Sequence, residues 1–309
     1  MKSQLRIATR RSPLALWQAE HVASLLRVAH PDLEVSLVKI VTQGDRIQDR
    51  PLSEIGGKGL FIKELEVAML AGEAEIAVHS MKDVPAILPD GFTLASVLPR
   101  ADPRDAFLSH HYSRLADLPQ GAHVGTSSQR RQSLLRAVRP DLKISPLRGN
   151  VDTRLRKLDE GEFDAIILAA AGLTRLGLAE RITEYIATDV SLPAIGQGIV
   201  GIECRADPAL LALLAPLNDA ATRTCLDAER AVGARLEGSC TSPIAAYATL
   251  ADGQLSLSAF VGAPDGSRAF NHHMEGTALD PVGLGHLLAD HLLAAGADRL
   301  LAELAANKA

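Results

Sequence analysis

The run VHSMKDVP sets one carboxylate, Asp83, beside one ammonium, Lys82, at the end of an apolar stretch that reads as a buried strand. Pro85 biases Val84 toward extended geometry, so the segment is expected to stay non-helical, with Lys82 and Asp83 pointing to opposite sides. A carboxylate among cations stays ionised and can stabilise a positive charge that develops on a substrate. The alternative for Asp83 is a helix cap or turn anchor. Arginines recur where other strands should end: Arg10 after LRIAT, Arg130 and Arg131 in GTSSQRRQS, Arg148 after ISP, Arg154 one turn into VDTRL, and Arg175 past AIILAA. A guanidinium fork grips a carboxylate or phosphate through paired hydrogen bonds. In GTSSQRRQS the hydroxyl residues can also cap a helix, whose first N–H groups attract anions. Arginines gathered at strand ends in a net-acidic chain read as an anion-binding cleft better than as a solvated basic face.

Three cysteines occur. Cys225 falls on the helical stripe Ala221, Cys225, Ala228 and Val232, and Cys204 ends the apolar strand GIVGIE, so both read as structural. Cys240 follows Gly238 and Ser239 in a loop beyond a long helix. A loop thiol near cations has the access and thiolate character that covalent chemistry needs. Unpaired cysteine spacing argues against a disulfide framework and suits a reducing compartment. MKSQLRIATR shows no export signal and no apolar run is long enough to cross a bilayer, so a cytoplasmic location is expected. With 32 Lys and Arg against 37 Asp and Glu, and few aromatics, nucleic acid is a poor partner. GGKGL lacks the Ser or Thr and the upstream glycine of a phosphate loop, no glycine-rich dinucleotide fingerprint follows the first strand, and His110–His111 has no partners at metal-ligand spacing. Carboxylates fit the cleft at least as well as phosphates.

The elements that must position these residues alternate. LRIAT is a strand, Pro13 starts a helix, EVSLVKIV is a strand, FIKELEVAMLA a helix and AEIAVHS a strand, which implies a parallel sheet covered on both faces. The pattern restarts with HVGTS, SQRRQSLLRAV, ISPLRG, VDTRLRKLDEG and FDAIILAA. SLPAIGQGIVGIE, with its glycines, reads as a hinge that returns to the first unit. A long helix from Asn218 then leads into the alternating runs PIAAYATLA and LSLSAFVGA and a helical tail. At 309 residues, more than one core is expected. The expected division is a first α/β lobe of residues 1–97 and 198–217, a second of 103–192, and a smaller C-terminal α+β domain of 221–309. The polar segment Thr42 to Lys58 is long for a loop in such a unit and is expected to act as a lid.

Taken in order, LRIATRRSPLALWQA, VTQGD, GGKGLFIKELE, AVHSMKDVP, DPRDAF, VGTSSQRRQ, LRGNVDTRL, DAIILAAAGLTRLGL, LPAIGQGIVGIECR, RLEGSC and AFVGAPDGS closely resemble the hydroxymethylbilane synthases, also called porphobilinogen deaminases. The resemblance spans nearly the whole chain. It implies two hinged, periplasmic-binding-protein-like lobes with parallel-rich sheets, and a transferase that joins four porphobilinogens head to tail, releasing ammonia and then the linear tetrapyrrole hydroxymethylbilane. A covalent dipyrromethane, itself two such pyrroles, serves as primer. By the same resemblance Cys240 in RLEGSC holds that cofactor through a thioether, and Asp83 contacts pyrrole nitrogens. Lys82, Ser128, Arg130, Arg131 and Arg148 contact the cofactor. Arg10, Ser12, Phe61, Arg148, Arg154, Arg175 and Gln197 contact the substrate. No metal is implied, and a cytoplasmic monomer in tetrapyrrole and haem biosynthesis is expected.

One position departs from the pattern: some relatives carry lysine where this chain has Glu54, which alters any contact made from the lid loop. Two other functions compete. Two lobes with arginines between them would equally suit capture of a dicarboxylate without chemistry, though that assigns no task to Cys240. A phosphate-handling transferase is weakened by the missing phosphate loop.

Overall fold

The structure, a computed structural model, describes residues 4–46, 62–237 and 242–306. Strand β1 (Gln4–Arg10) is covered on both faces. Leu5 and Ile7 pack with Val22 and Leu26 of helix α1 (Pro13–Ala29), while Ala8 packs with Leu65 and Met69 of α2 (Lys63–Leu70). Strands β2 (Glu34–Ile40) and β3 (Ile76–Ser80) lie on either side of β1, both parallel to it. The sheet is completed by β4 (Phe92–Val97) and, between β3 and β4, by the late strand β10 (Val200–Arg205), giving the order β2-β1-β3-β10-β4.

A second five-stranded sheet repeats this plan. Its strands are β5 (Asp105–Leu108), β6 (His123–Gly125), β7 (Lys143–Ser145), β8 (Ala165–Ala169) and β9 (Glu184–Ile186), in the order β7-β6-β8-β5-β9. Helices α3 (Gln129–Val138), α4 (Val151–Asp159) and α5 (Ala170–Arg175) connect or follow them. In both sheets the first three strands are parallel and the fourth, β10 or β5, runs antiparallel to both neighbours. The strand–helix alternation predicts only the parallel part. The fourth strands are the ones that cross between the units, and a strand arriving from outside need not keep the direction that a right-handed crossover imposes. The two crossovers run side by side: Leu98 N–H donates to Val200 O at 2.9 Å and Ala101 N–H to Gly198 O at 3.1 Å.

After α6 (Pro208–Leu214), helix α7 (Ala220–Arg235) leads to an antiparallel sheet of β11 (Ile244–Ala251), β12 (Gln254–Gly262) and β13 (Ala269–Thr277). Helices α8 (Pro281–Leu292) and α9 (Asp298–Ala306) complete this unit. Cys225, Ala228 and Val232 enter its core, whereas Ala221, the first member of the predicted stripe, is exposed. Strand β13 was not foreseen. It is an edge strand whose mostly exposed run AFNHHMEGT lacks an apolar alternation.

Candidate active site

Three capped helix starts and one tight turn meet at the carboxyl ends of the parallel strands, where ligands of open α/β sheets bind. Ser12 Oγ accepts from Ala15 N–H (3.4 Å) at the start of α1, Ser128 Oγ from Arg131 N–H (3.4 Å) at α3, and Asn150 Oδ1 from Thr153 N–H (2.9 Å) at α4. The turn is Met81–Asp83, a single 3₁₀ turn after β3, closed by Val84 N–H to Met81 O at 3.1 Å. Val84 itself is extended, as Pro85 requires. The non-helical expectation fails three residues earlier, because Met81 is fully buried against the returning crossover, to which its N–H donates (Ile199 O, 3.0 Å). Gly196 makes this seat possible: its φ is +67°, and a Cβ there would lie 2.7 Å from Met81 Cβ. The turn brings Lys82 and Asp83 to one cavity instead of opposite sides.

That cavity, about 470 Å³, has walls from both lobes. Arg10 and Ser12 contribute from the first, Arg131, Arg148 and Arg154 from the second, and Lys82 and Asp83 stand between. Arg10 is paired with Asp45, and Arg154 Nε donates to Gly149 O at 2.9 Å. Among the described residues no hydrogen bond is made to the Asp83 carboxylate. A smaller cavity of about 80 Å³ adjoins it; Lys82, Ser128 and Arg130 form its polar side, and Val84, Ile195 and Ile244 its apolar side. Lys82 lines both.

The cations are crowded. Burial lowers Lys82 to about 8 against the pull of Asp83, with Arg131 and Arg154 adding to the fall. Burial lowers Arg154 to about 10, and Arg131 and Arg148 push the same way. Surplus positive charge in a half-dry cleft is the condition that a multivalent anion relieves.

Several expected residues sit differently. Arg130 and Arg131 do not stand as open forks. Both are buried, and both donate to Asp105, the first residue of β5: Arg131 through Nε (3.0 Å) and Nη2 (2.7 Å), Arg130 through Nη2 (3.1 Å). A buried acid must be paired, and the two guanidiniums supply the pairing. Gln197 is buried away from both cavities and donates to Pro103 O (2.6 Å) and Asp105 (3.0 Å). Arg175 lines neither cavity. Its Nη2 donates to Gly198 O (2.7 Å) and its guanidinium lies over Trp17 of α1, so it ties the second lobe to the crossover and the first lobe. Phe61, Cys240, Glu54 and most of the expected lid lie outside the described residues. Sequence reasoning missed Asp45, Asp105 and Arg11, which also lines the larger cavity. The signal for Asp105 was available: in DPRDAF a lone acid heads an apolar run, and an acid entering a buried strand needs a cation.

A family model described as porphobilinogen deaminase, dipyromethane cofactor binding domain, matches residues 5–212, and one described as porphobilinogen deaminase, C-terminal domain, matches residues 223–294. The chain belongs to the porphobilinogen deaminase family. Among curated relatives, a porphobilinogen deaminase of Thiobacillus denitrificans is 57% identical over 303 residues, covering 98% of this chain and 99% of that one. One from Chromobacterium violaceum is 57% identical over 302 residues, covering 97% and 98%. Solved structures overlap more slightly. The VFT2 domain of Bordetella pertussis BvgS gives a TM-score of 0.43 at 16% identity (68% of this chain, 84% of that one). The periplasmic aliphatic sulphonate binding protein SsuA of Escherichia coli gives 0.42 at 16% (77% and 71%). The two-lobed architecture rests on the strand order given above.

The porphobilinogen deaminase cofactor suits this donor set. A dipyrromethane built from two porphobilinogens carries two carboxylates on each ring, and the cleft gathers guanidiniums and one ammonium whose mutual repulsion such an anion would relieve. The larger cavity also falls in the usual range of small-molecule sites.

Proposed function

We propose that the larger cavity is where this chain, a porphobilinogen deaminase family transferase, joins porphobilinogens into hydroxymethylbilane, with Asp83 as the catalytic group and Cys240 as the thioether anchor of the dipyrromethane. When bound, the dipyrromethane supplies a nucleophilic pyrrole carbon. Arg10, Arg148 and Arg154, helped by the starts of α1 and α4, hold substrate carboxylates and fix ring position. Loss of ammonia breaks the carbon–nitrogen bond with its electron pair and leaves positive charge on the substrate, delocalised to the pyrrole N–H. The Asp83 carboxylate, not consumed by another hydrogen bond, accepts from that N–H and lowers the energy of the cation. Lys82 beside it pairs with a carboxylate and keeps the local charge balanced. Arg131 at the larger cavity, and Arg130 and Ser128 at the smaller one, hold carboxylates of the cofactor and of the pyrrole beside it with whatever donors Asp105 leaves. Gln197 and Arg175 act on the crossover behind this wall. Porphobilinogen is the partner, in a cytoplasmic monomer; among the described residues no helix is long and apolar enough to cross a membrane.

The observation that carries this reading is the half-buried Asp83 carboxylate, not spent on a hydrogen bond, inside a cavity walled by arginines from both lobes; the other unpaired acid of the lining, Asp152, is exposed. The test is Asp83→Asn, which keeps shape and removes charge. With porphobilinogen as substrate, ammonia release should fall by about 100-fold or more, while the intact mass still shows the cofactor. Turnover at the unsubstituted rate would remove Asp83 from the chemistry.

A further inference from the structure

Asp105 is completely buried and collects four donor side chains from two separate parts of the chain. Besides the two arginines of α3, Ser191 Oγ donates to its Oδ2 (2.7 Å) and Gln197 Nε2 to its Oδ1 (3.0 Å), both from the crossover that returns to the first lobe. Consecutive helix residues point about 100° apart, so Arg130 and Arg131 converge only on an acceptor they share. The backbone completes the cradle: Arg131 Nη1 donates to Ile167 O (3.0 Å) and Arg130 Nη1 to Leu192 O (2.6 Å). Burial pushes the Asp105 carboxyl up, but Arg130 and Arg131 outweigh it and hold it well below the usual carboxylate range. It therefore carries its charge at any working pH. Each Nη of Arg131 has two hydrogens and spends one on these partners, so one remains on each nitrogen of a side chain that lines the larger cavity, while Arg130 lines the smaller.

We propose that Asp105 is a positioning residue of this reaction: from the head of the crossover strand β5, its carboxylate aims Arg131 at the larger cavity and Arg130 at the smaller one. The inference rests on the functional reading above. Its effect is opposite in sign to simple charge balance. If Asp105 only diluted the positive field, Asp105→Asn would add one net positive charge and tighten binding of carboxylates. If it aims the arginines, the same change frees the guanidiniums to separate, and binding weakens.

The test compares native chain, Asp105→Asn and Asp105→Glu by thermal midpoint, by the fraction carrying the dipyrromethane in intact mass, and by kcat and KM for porphobilinogen. Asp105→Glu keeps the charge but moves it by one methylene. The expected result is that this variant melts close to the native chain and keeps kcat per cofactor-bearing chain, yet raises KM about tenfold and lowers the cofactor-bearing fraction. Asp105→Asn should lower that fraction further. Unchanged KM and cofactor fraction in Asp105→Glu would overturn the proposal, as would a lower KM in Asp105→Asn. Should Asp105→Asn fail to fold, Asp105→Glu decides alone. A native chain that neither carries the cofactor nor consumes porphobilinogen overturns the functional reading, and the proposal with it.

Discussion

Lys82 shows how a single side chain records the character of the site. Burial has brought it to about 8, so it spans the working pH range as a cation that water solvates poorly. Its folded value lies below its unfolded one, so between about 8 and 10.5 this side chain binds more protons in the unfolded chain than in the folded one, and its contribution to stability rises with pH across that window. Below about 8 the full penalty of a buried cation is present. In a Cys240→Ser chain, which should lack the cofactor, the thermal midpoint is expected to climb from about pH 8 toward 9, above which the buried Cys204 and Cys225 thiols, each pushed up to about 11, pull stability down again. Adding Lys82→Met should raise the midpoint at pH 7 and flatten the climb. A pH response unaffected by that change would place the Lys82 ammonium in water. At this scale the sequence was informative about residue type and poor about partners. VHSMKDVP and RRSPL name side chains that line the larger cavity, but nothing local says that Arg10 faces Asp45 or that Arg130 and Arg131 turn inward to Asp105. Those pairings link residues far apart in the chain, and an arginine's choice of acceptor is a property of tertiary packing.

Elements place the chemistry through their ends. Ser12, Ser128 and Asn150 were all in the sequence as small polar residues before helical runs, and each caps as such residues do. The turn of Met81–Asp83 was not legible. Its shape comes from the crossover packed beneath it, where Met81 fills the space left at Gly196. Gly196→Ala should therefore act on the catalytic turn although it adds only a methyl group. The backbone there is left-handed, which costs on the order of 1–3 kcal/mol for a residue with a side chain, and the new Cβ would press on Met81. Differential scanning calorimetry should show a lower midpoint, and kcat should drop with it. A variant with both values unchanged would mean that the turn does not depend on its seat. The antiparallel fourth strands escaped prediction for a related reason: their direction is set by passage between units, which short-range periodicity does not encode.

For the whole molecule, the two lobes were readable because strand–helix alternation twice over is a strong signal, and the strand order repeats in both sheets. Their joint product is a cleft that concentrates positive charge in a chain of net charge −5. Such a cleft would also suit capture of a dicarboxylate without chemistry; a covalent primer and a ladder of products would not follow from capture. Intact mass of the native protein, before and after brief exposure to porphobilinogen, separates the two most directly. The account predicts a chain heavier than its sequence by a dipyrromethane, discrete further additions of one deaminated pyrrole each after exposure, and no adduct at all in Cys240→Ser. A native chain at its bare sequence mass, unchanged by substrate, would contradict it.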